Sequence, residues 1–151
     1  MTFVRWCFLA VLLGGVSSPA YAAGDKIMKV LPQYLDLQGR NSLSPSLYDR
    51  DAYQSRLRRR PEDRSGMQFQ IQWKARTIEP LKLRLETRGT KGGETTAITL
   101  EAPVRHAAGF NKWTELTLKG DDYSKLGDLN AWRVSLWDGD KLLAEQKSFL
   151  W

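Results

Sequence analysis

The sequence predicts an all-β protein: an antiparallel β-sandwich of six or seven strands, preceded by a short N-terminal extension that contains a helix. Three observations carry that prediction. From residue 67 onward, apolar and polar side chains alternate with a period of two, the mark of strands with one buried face. Gly, Asp, Asn and Pro punctuate those runs at short intervals, which suits turns and leaves little room for long helices. The one cysteine, Cys7, lies near the start of the chain, so the core of the remainder has to hold together without disulfides.

Residues 1–22 read as a secretory signal. Arg5 provides a basic start, residues 6–16 form an apolar run, Ser17-Ser18-Pro19 break it, and Ala20-Tyr21-Ala22 supplies the small-x-small cleavage pattern. Cleavage is expected before Ala23. The apolar run is shorter than the roughly twenty residues that cross a bilayer, so no transmembrane segment is expected in the mature chain. Cys7 sits inside the run and does not follow a small-residue cleavage motif, so no lipid anchor is expected. A periplasmic or secreted location follows. Loss of Arg5 lowers the formal charge by one from +6, a mildly basic balance compatible with anionic envelope polymers and with simple solubility.

Residues 23–66 form the extension, expected to pack on the sandwich. Tyr34 to Leu37 is a candidate first strand, after Pro32. Ser46 is placed to cap a helix over about residues 47–59, with Asp49 three residues on and Pro61 closing the far end. Its apolar stripe is thin: Leu47, Tyr53 and Leu57 on one side.

Residues 67–151 are the sandwich. Met67, Phe69, Ile71, Trp73 and Ala75 alternate with Gln68, Gln70, Gln72 and Lys74. Leu81, Leu83, Leu85 and Thr87 alternate with Lys82, Arg84, Glu86 and Arg88, and these two strands read as a pair across a loop holding Pro80. A turn at residues 89–93 leads to a strand with Thr96, Ile98, Leu100 and Ala102 on its apolar face. A further strand carries Thr114, Leu116 and Leu118, followed by a turn-rich connection over residues 120–130. The last pair is a hairpin around Asp138-Gly139-Asp140. A three-residue turn with Gly139 left-handed sets Leu136 opposite Leu142, Val134 opposite Ala144 and Arg133 opposite Glu145. That register keeps Trp132, Val134 and Leu136 on the inner face, where a one-residue slip would turn them out.

Leu126 and Leu129, followed by Trp132-Arg133-Val134-Ser135-Leu136, resemble a feature of immunoglobulin-like and fibronectin type III-like domains. In these a leucine-bearing turn precedes an aromatic residue that opens the penultimate strand. Trp132 stands where a tyrosine is usual. The resemblance covers about residues 66–151 and implies adhesion, assembly or ligand display, which fold alone does not decide.

The chemistry-bearing residues argue against an enzyme. His106 is the single histidine, and neither a Gly-x-Ser-x-Gly elbow nor a Ser-x-x-Lys pair occurs after residue 22. No cofactor is expected, and a zinc site would need three carboxylates. Asp121-Asp122 and Asp138-Gly139-Asp140 offer oxygen ligands but stand where turns need Asp and Gly for backbone reasons. Arg56, Arg58, Arg59, Arg60 and Arg64 form a basic cluster, a candidate polyanion contact. The competing reading is a helix end whose cations complement the dipole, and no aromatic residue interleaves to stack bases, which disfavours nucleic acid.

Tryptophan is the more telling excess. Trp73 and Trp132 fall on inner faces, while Trp113, Trp137 and Trp151 fall outside the inner register. Trp137, Trp113 and Lys141 are the candidate ligand or partner contacts, with Trp137 at the hairpin tip opposite Lys141. Phe149 and Trp151 are expected to lie under the N-terminal extension. The expected function is an exported, non-enzymatic binding or assembly module of the cell envelope or extracellular space. A protein partner is preferred, and a carbohydrate-binding module using the outward tryptophans is the alternative.

Overall fold

The computed structural model describes residues 24–76, 80–105 and 111–151. The signal segment and His106 lie outside the described residues. The chain runs β1 (Lys26–Asp36), α1 (Leu47–Arg59), a 3-10 turn (Pro61–Asp63), β2 (Arg64–Lys74), β3 (Leu81–Lys91) and β4 (Glu94–Val104). It continues through β5 (Lys112–Lys119), α2 (Gly120–Leu126), β6 (Asp128–Asp138) and β7 (Lys141–Lys147). All pairings are antiparallel, in a three-stranded sheet ordered β1-β2-β5 and a four-stranded sheet ordered β4-β3-β6-β7. Two such sheets packed face to face are the all-β sandwich that the alternation predicts.

One core joins them. Phe69, Ile71 and Trp73 of β2, with Leu116 and Leu118 of β5, meet Leu83 and Leu85 of β3 and Val134 and Leu136 of β6. Each such side chain, fully removed from water, contributes on the order of 1.5–3 kcal/mol. The strands read as a pair on either side of Pro80 are both present but belong to different sheets: β2 pairs with β1 and β5, β3 with β4 and β6. The loop between them is therefore a crossover and not a hairpin. Helix α2 replaces the turn-rich connection expected over residues 120–130, and its Leu126 is fully buried.

The sandwich also draws on the segment before residue 66. β1 is a full edge strand, longer than the Tyr34–Leu37 reading, and β2 begins at Arg64. Its register against β2 shifts between Ile27 and Lys29. That bulge puts buried Ile27 and Val30 three residues apart and hides the period of two. Pro32 is tolerated because β1 lies at the edge of its sheet.

Helix α1 matches its predicted span, and the Ser46 side chain accepts the Asp49 backbone N–H at 3.4 Å. It docks on β1 through Tyr53, Gln54 and Leu57, whereas Leu47 stays 65% exposed. Gln54 does what a neighbouring strand would do. Its Oε1 accepts the Tyr34 backbone N–H at 2.8 Å, and its Nε2 donates to the Tyr34 carbonyl at 2.9 Å. The open edge of β1 is thereby closed at that point, which blocks pairing with another chain there. Asp36 fastens the same joint. Its carboxylate accepts the Tyr53 hydroxyl at 2.6 Å, the backbone N–H groups of Gln38 and Arg40 at 2.9 and 2.8 Å, and Arg40 Nε at 2.8 Å.

The final hairpin has a different register from the one predicted. Asp138 pairs with Lys141 across a two-residue Gly139-Asp140 turn, and only Gly139 has positive φ, at 54°. Such a turn matches the right-handed strand twist. A bulge then shifts the ladder so that Leu136 faces Ala144 and Val134 faces Gln146. The bulge lets two consecutive residues, Leu143 and Ala144, both be buried, which neither simple turn length allows. Arg133 faces Lys147, not Glu145, yet still reaches Glu145 on the diagonal at 3.8 Å.

Candidate functional site

The outward tryptophans do not form one row. Trp137 lies on the outer face of the four-stranded sheet and Trp113 on the outer face of the three-stranded sheet, on opposite sides of the sandwich.

On the four-stranded face the aromatics are covered by the protein's own guanidinium groups. Trp137 is half-buried, its Nε1 donates to Ser135 Oγ at 2.8 Å, and Arg84 lies over its ring at 5.1 Å. Its strand neighbour is Leu142, and Lys141 faces Asp138, so the expected Trp137–Lys141 contact at an exposed tip is not what forms. Arg84 itself is held by Glu101 at 2.6 Å. Arg133 grips Glu86 with two bonds of 2.7 and 2.8 Å, which, against the cost of partial burial, hold the Glu86 carboxyl below its usual range. Trp151 folds back onto this face under Arg88 and Arg133, at 4.0 and 4.8 Å. Its cover is thus arginine rather than the N-terminal extension, and Phe149, also expected to be covered, is 99% exposed.

The basic cluster is divided in the same way. Arg64 is turned inward, its side chain 5% exposed, over the Tyr34 ring at 4.1 Å. It donates to the backbone carbonyls of Leu57 and Arg58, capping the C-terminus of α1. Arg56 lies over Tyr53, Arg59 bonds Ser55 Oγ and Arg60 approaches Asp63. Arg58 is exposed. These contacts support the helix-end reading of the cluster over a common cradle for a polyanion.

The three-stranded face is built differently. Strand alternation turns Gln68, Gln70 and Gln72 of β2 outward, in a stripe down the middle of the sheet. In register beside them stand Gln33, Leu31 and Lys29 of β1 and Thr117, Glu115 and Trp113 of β5. The amides are tied together. Gln68 Nε2 and Gln70 Nε2 donate to the two oxygens of Glu115 at 2.9 and 3.2 Å, and Asn41 Nδ2 donates to Gln68 Oε1 and Gln33 Oε1. Next to this network Trp113 is 51% exposed. Between Trp113 and the first turns of α1 lies a groove of about 460 Å³, lined by Lys29, Leu31, Leu47, Arg50, Gln70, Trp113 and Glu115. Sequence reasoning singled out only Trp113 from this set. The glutamines served there as the polar phase of a strand, although three outward glutamines on one strand are themselves a signal for hydrogen-bonding recognition.

A second concavity of about 530 Å³ lies at the end of the sandwich near Arg64, Lys91 and Tyr123. There Lys91 Nζ donates to the Ser124 carbonyl at 2.7 Å, so its cation serves the α2 connection. Among the described residues no group of three or more His, Cys, Asp or Glu side chains gathers as a metal site, and no helix is long and apolar enough to cross a membrane. Comparison with protein families, with curated proteins and with solved structures finds no match to this chain.

Proposed function

We propose that the chain is an exported, non-catalytic binding module of the cell envelope or extracellular space, and that its ligand is a glycan seated on the β1-β2-β5 face. The observation that carries this reading is the half-exposed Trp113 beside a tied array of Gln68, Gln70 and Glu115. A sugar ring offers an apolar C–H face to an aromatic platform and hydroxyl groups to amides and carboxylates. The array is held in place before any ligand arrives, which lowers the ordering cost of binding. The sequence alone favours a protein partner. The polar chemistry around Trp113 shifts the preference, because the core of a protein interface is depleted in charge.

A printed glycan array probed with labelled protein tests the reading. Wild-type protein and Trp137→Ala are expected to bind the same glycans, and Trp113→Ala to lose at least about tenfold, roughly 1.4 kcal/mol. A blank array, or equal binding by Trp113→Ala, refutes it. One observation favours a protein partner as a second reading: Phe149 and Leu150 are 99% and 70% exposed, side by side. Under that reading, capture of an envelope protein is lost on Phe149→Ser and unaffected by Trp113→Ala.

A further inference from the structure

Resting on the glycan reading above, the geometry points to a narrower ligand class: we infer that the Trp113 groove takes a short stretch of an acidic glycan built from N-acetylhexosamine units. The groove holds three kinds of chemistry, and a plain hexose uses only some of them. Trp113 supplies the platform for a ring face. Leu31 and Leu47 line the same groove, and Leu47 is 65% exposed on the outside of α1. An aliphatic pair beside a sugar platform has no use for a hydroxyl, but it suits the methyl of an acetamido group. Glu115 accepts two amide N–H groups, which leaves carboxylate lone pairs for the acetamido N–H or a hydroxyl.

Charge supplies the remaining term. Lys29 and Arg50 stand in the groove wall, and the one carboxylate among its described lining residues, Glu115, already receives the two glutamine amides. Outside the groove, Arg50 Nε has only a long contact of 3.9 Å to the exposed Asp51. Lys29, with an Arg50 whose exposed pairing to Asp51 is weak, faces one engaged carboxylate, a balance that favours an anionic occupant, and Arg binds a sugar carboxylate through paired N–H groups. A volume of about 460 Å³ lies toward the lower end of the roughly 300–1,000 Å³ of small-ligand sites. It therefore seats a short unit, with the rest of a strand running over the glutamine stripe of β2.

Calorimetric titration of the mature protein with four probes tests the inference. Hyaluronan hexasaccharide and peptide-free peptidoglycan glycan strands carry both acetamido and carboxylate groups, from two different sources. Chitohexaose carries the acetamido group alone, and cellohexaose carries neither. At least one acidic probe is expected to bind about tenfold or more tighter than chitohexaose, and chitohexaose tighter than cellohexaose. Lys29→Ala with Arg50→Ala should remove the first difference, added salt should shrink it, and Leu47→Ser should remove the second. Trp113→Ala should weaken every probe while leaving the urea midpoint nearly unchanged. Equal, Trp113-dependent binding of all four, or tightest binding of cellohexaose, overturns the acidic acetamido class and leaves the glycan reading standing. Chitohexaose binding as tightly as both acidic probes overturns the charge requirement and, with it, the inference. If no probe shows Trp113-dependent binding, the inference falls, and the glycan reading falls with it only where the printed array is blank as well.

Discussion

Replacing Asp36 with alanine should loosen α1 from the sandwich at a cost that can be worked out donor by donor. The Asp36 side chain is 5% exposed and accepts four hydrogen bonds. Of its donors, the Tyr53 hydroxyl is the one left stranded, since Tyr53 is itself buried. A buried donor without a partner costs about 1–3 kcal/mol. The Arg40 side chain is 52% exposed and returns to water, so its loss adds little. The backbone N–H groups of Gln38 and Arg40 belong to exposed residues and add little. The expected total is about 1–4 kcal/mol, a fall of about 0.5–2 M in the urea midpoint followed by tryptophan fluorescence. Burial pushes the Asp36 carboxyl up, but the Tyr53 hydroxyl, the Arg40 backbone and guanidinium, and the Gln38 backbone outweigh it and lower its pKa from 3.8 to about 2. A depressed carboxyl contributes stability that is fully present above its unfolded value. That contribution is lost as pH falls from about 4 through about 2. The gap between wild type and Asp36→Ala should therefore be constant from pH 7 to 5 and close between pH 4 and 2. A variant within about 0.5 kcal/mol of wild type at pH 7, or a gap undiminished at pH 2, refutes the reasoning.

Three further outcomes are expected. Gly127→Ala should destabilise by well over about 1 kcal/mol in the same titration, because Gly127 has φ +68° and a Cβ there would meet the Thr90 carbonyl oxygen at 2.4 Å. Arg133→Ala should cost about 1.5–3 kcal/mol, more than an exposed outer-face residue would, and a double-mutant cycle with Glu86→Ala should show coupling of about 1 kcal/mol or more; additive losses would mean that the two-bond contact is not formed in solution. Mass spectrometry of protein recovered from its native host should give Ala23 as the first residue, and retention of residues 6–16 in most molecules would overturn export.

Legibility in the sequence follows the physics of each element. β2, β3, β4 and β5 read correctly because each turns one face toward the core and the other toward water, so alternation survives intact. Helix α1 reads correctly because Ser46 and Pro61 mark its ends independently of its weak apolar stripe. β1 and the β6–β7 hairpin read less well for one shared reason: each contains a bulge. A single inserted residue inverts the alternation beyond it, so Ile27 and Val30, or Leu143 and Ala144, look out of phase. At the candidate site, Trp113 was visible as an aromatic residue outside the inner register. Its neighbours were not, since Leu47 and Arg50 come from α1 and meet β5 only through the docking of α1 on β1. The expected Trp137–Lys141 pairing gives way to Arg84 over the ring, a partner from the adjacent strand that no local spacing announces.

The contrast between the two outer faces explains why the weight moves from Trp137 to Trp113. On the four-stranded sheet the guanidinium groups over the rings are already engaged. Arg84 serves Trp137 and Glu101, and Arg133 serves Glu86, Glu145 and Trp151. A ligand reaching those rings has to displace a charge that is already hydrogen-bonded, so this face spends its polar chemistry on itself. The three-stranded sheet also ties its polar groups together, but with neutral amides around one carboxylate, and its tryptophan stands at the rim of that array instead of beneath it. The first arrangement stiffens a sheet; the second holds donors and acceptors at fixed spacing beside an open ring face. One wall of that groove belongs to α1, which Asp36 and Gln54 fasten to β1. Loosening the Asp36 joint should therefore weaken ligand capture on the Trp113 face without touching a single residue that lines it.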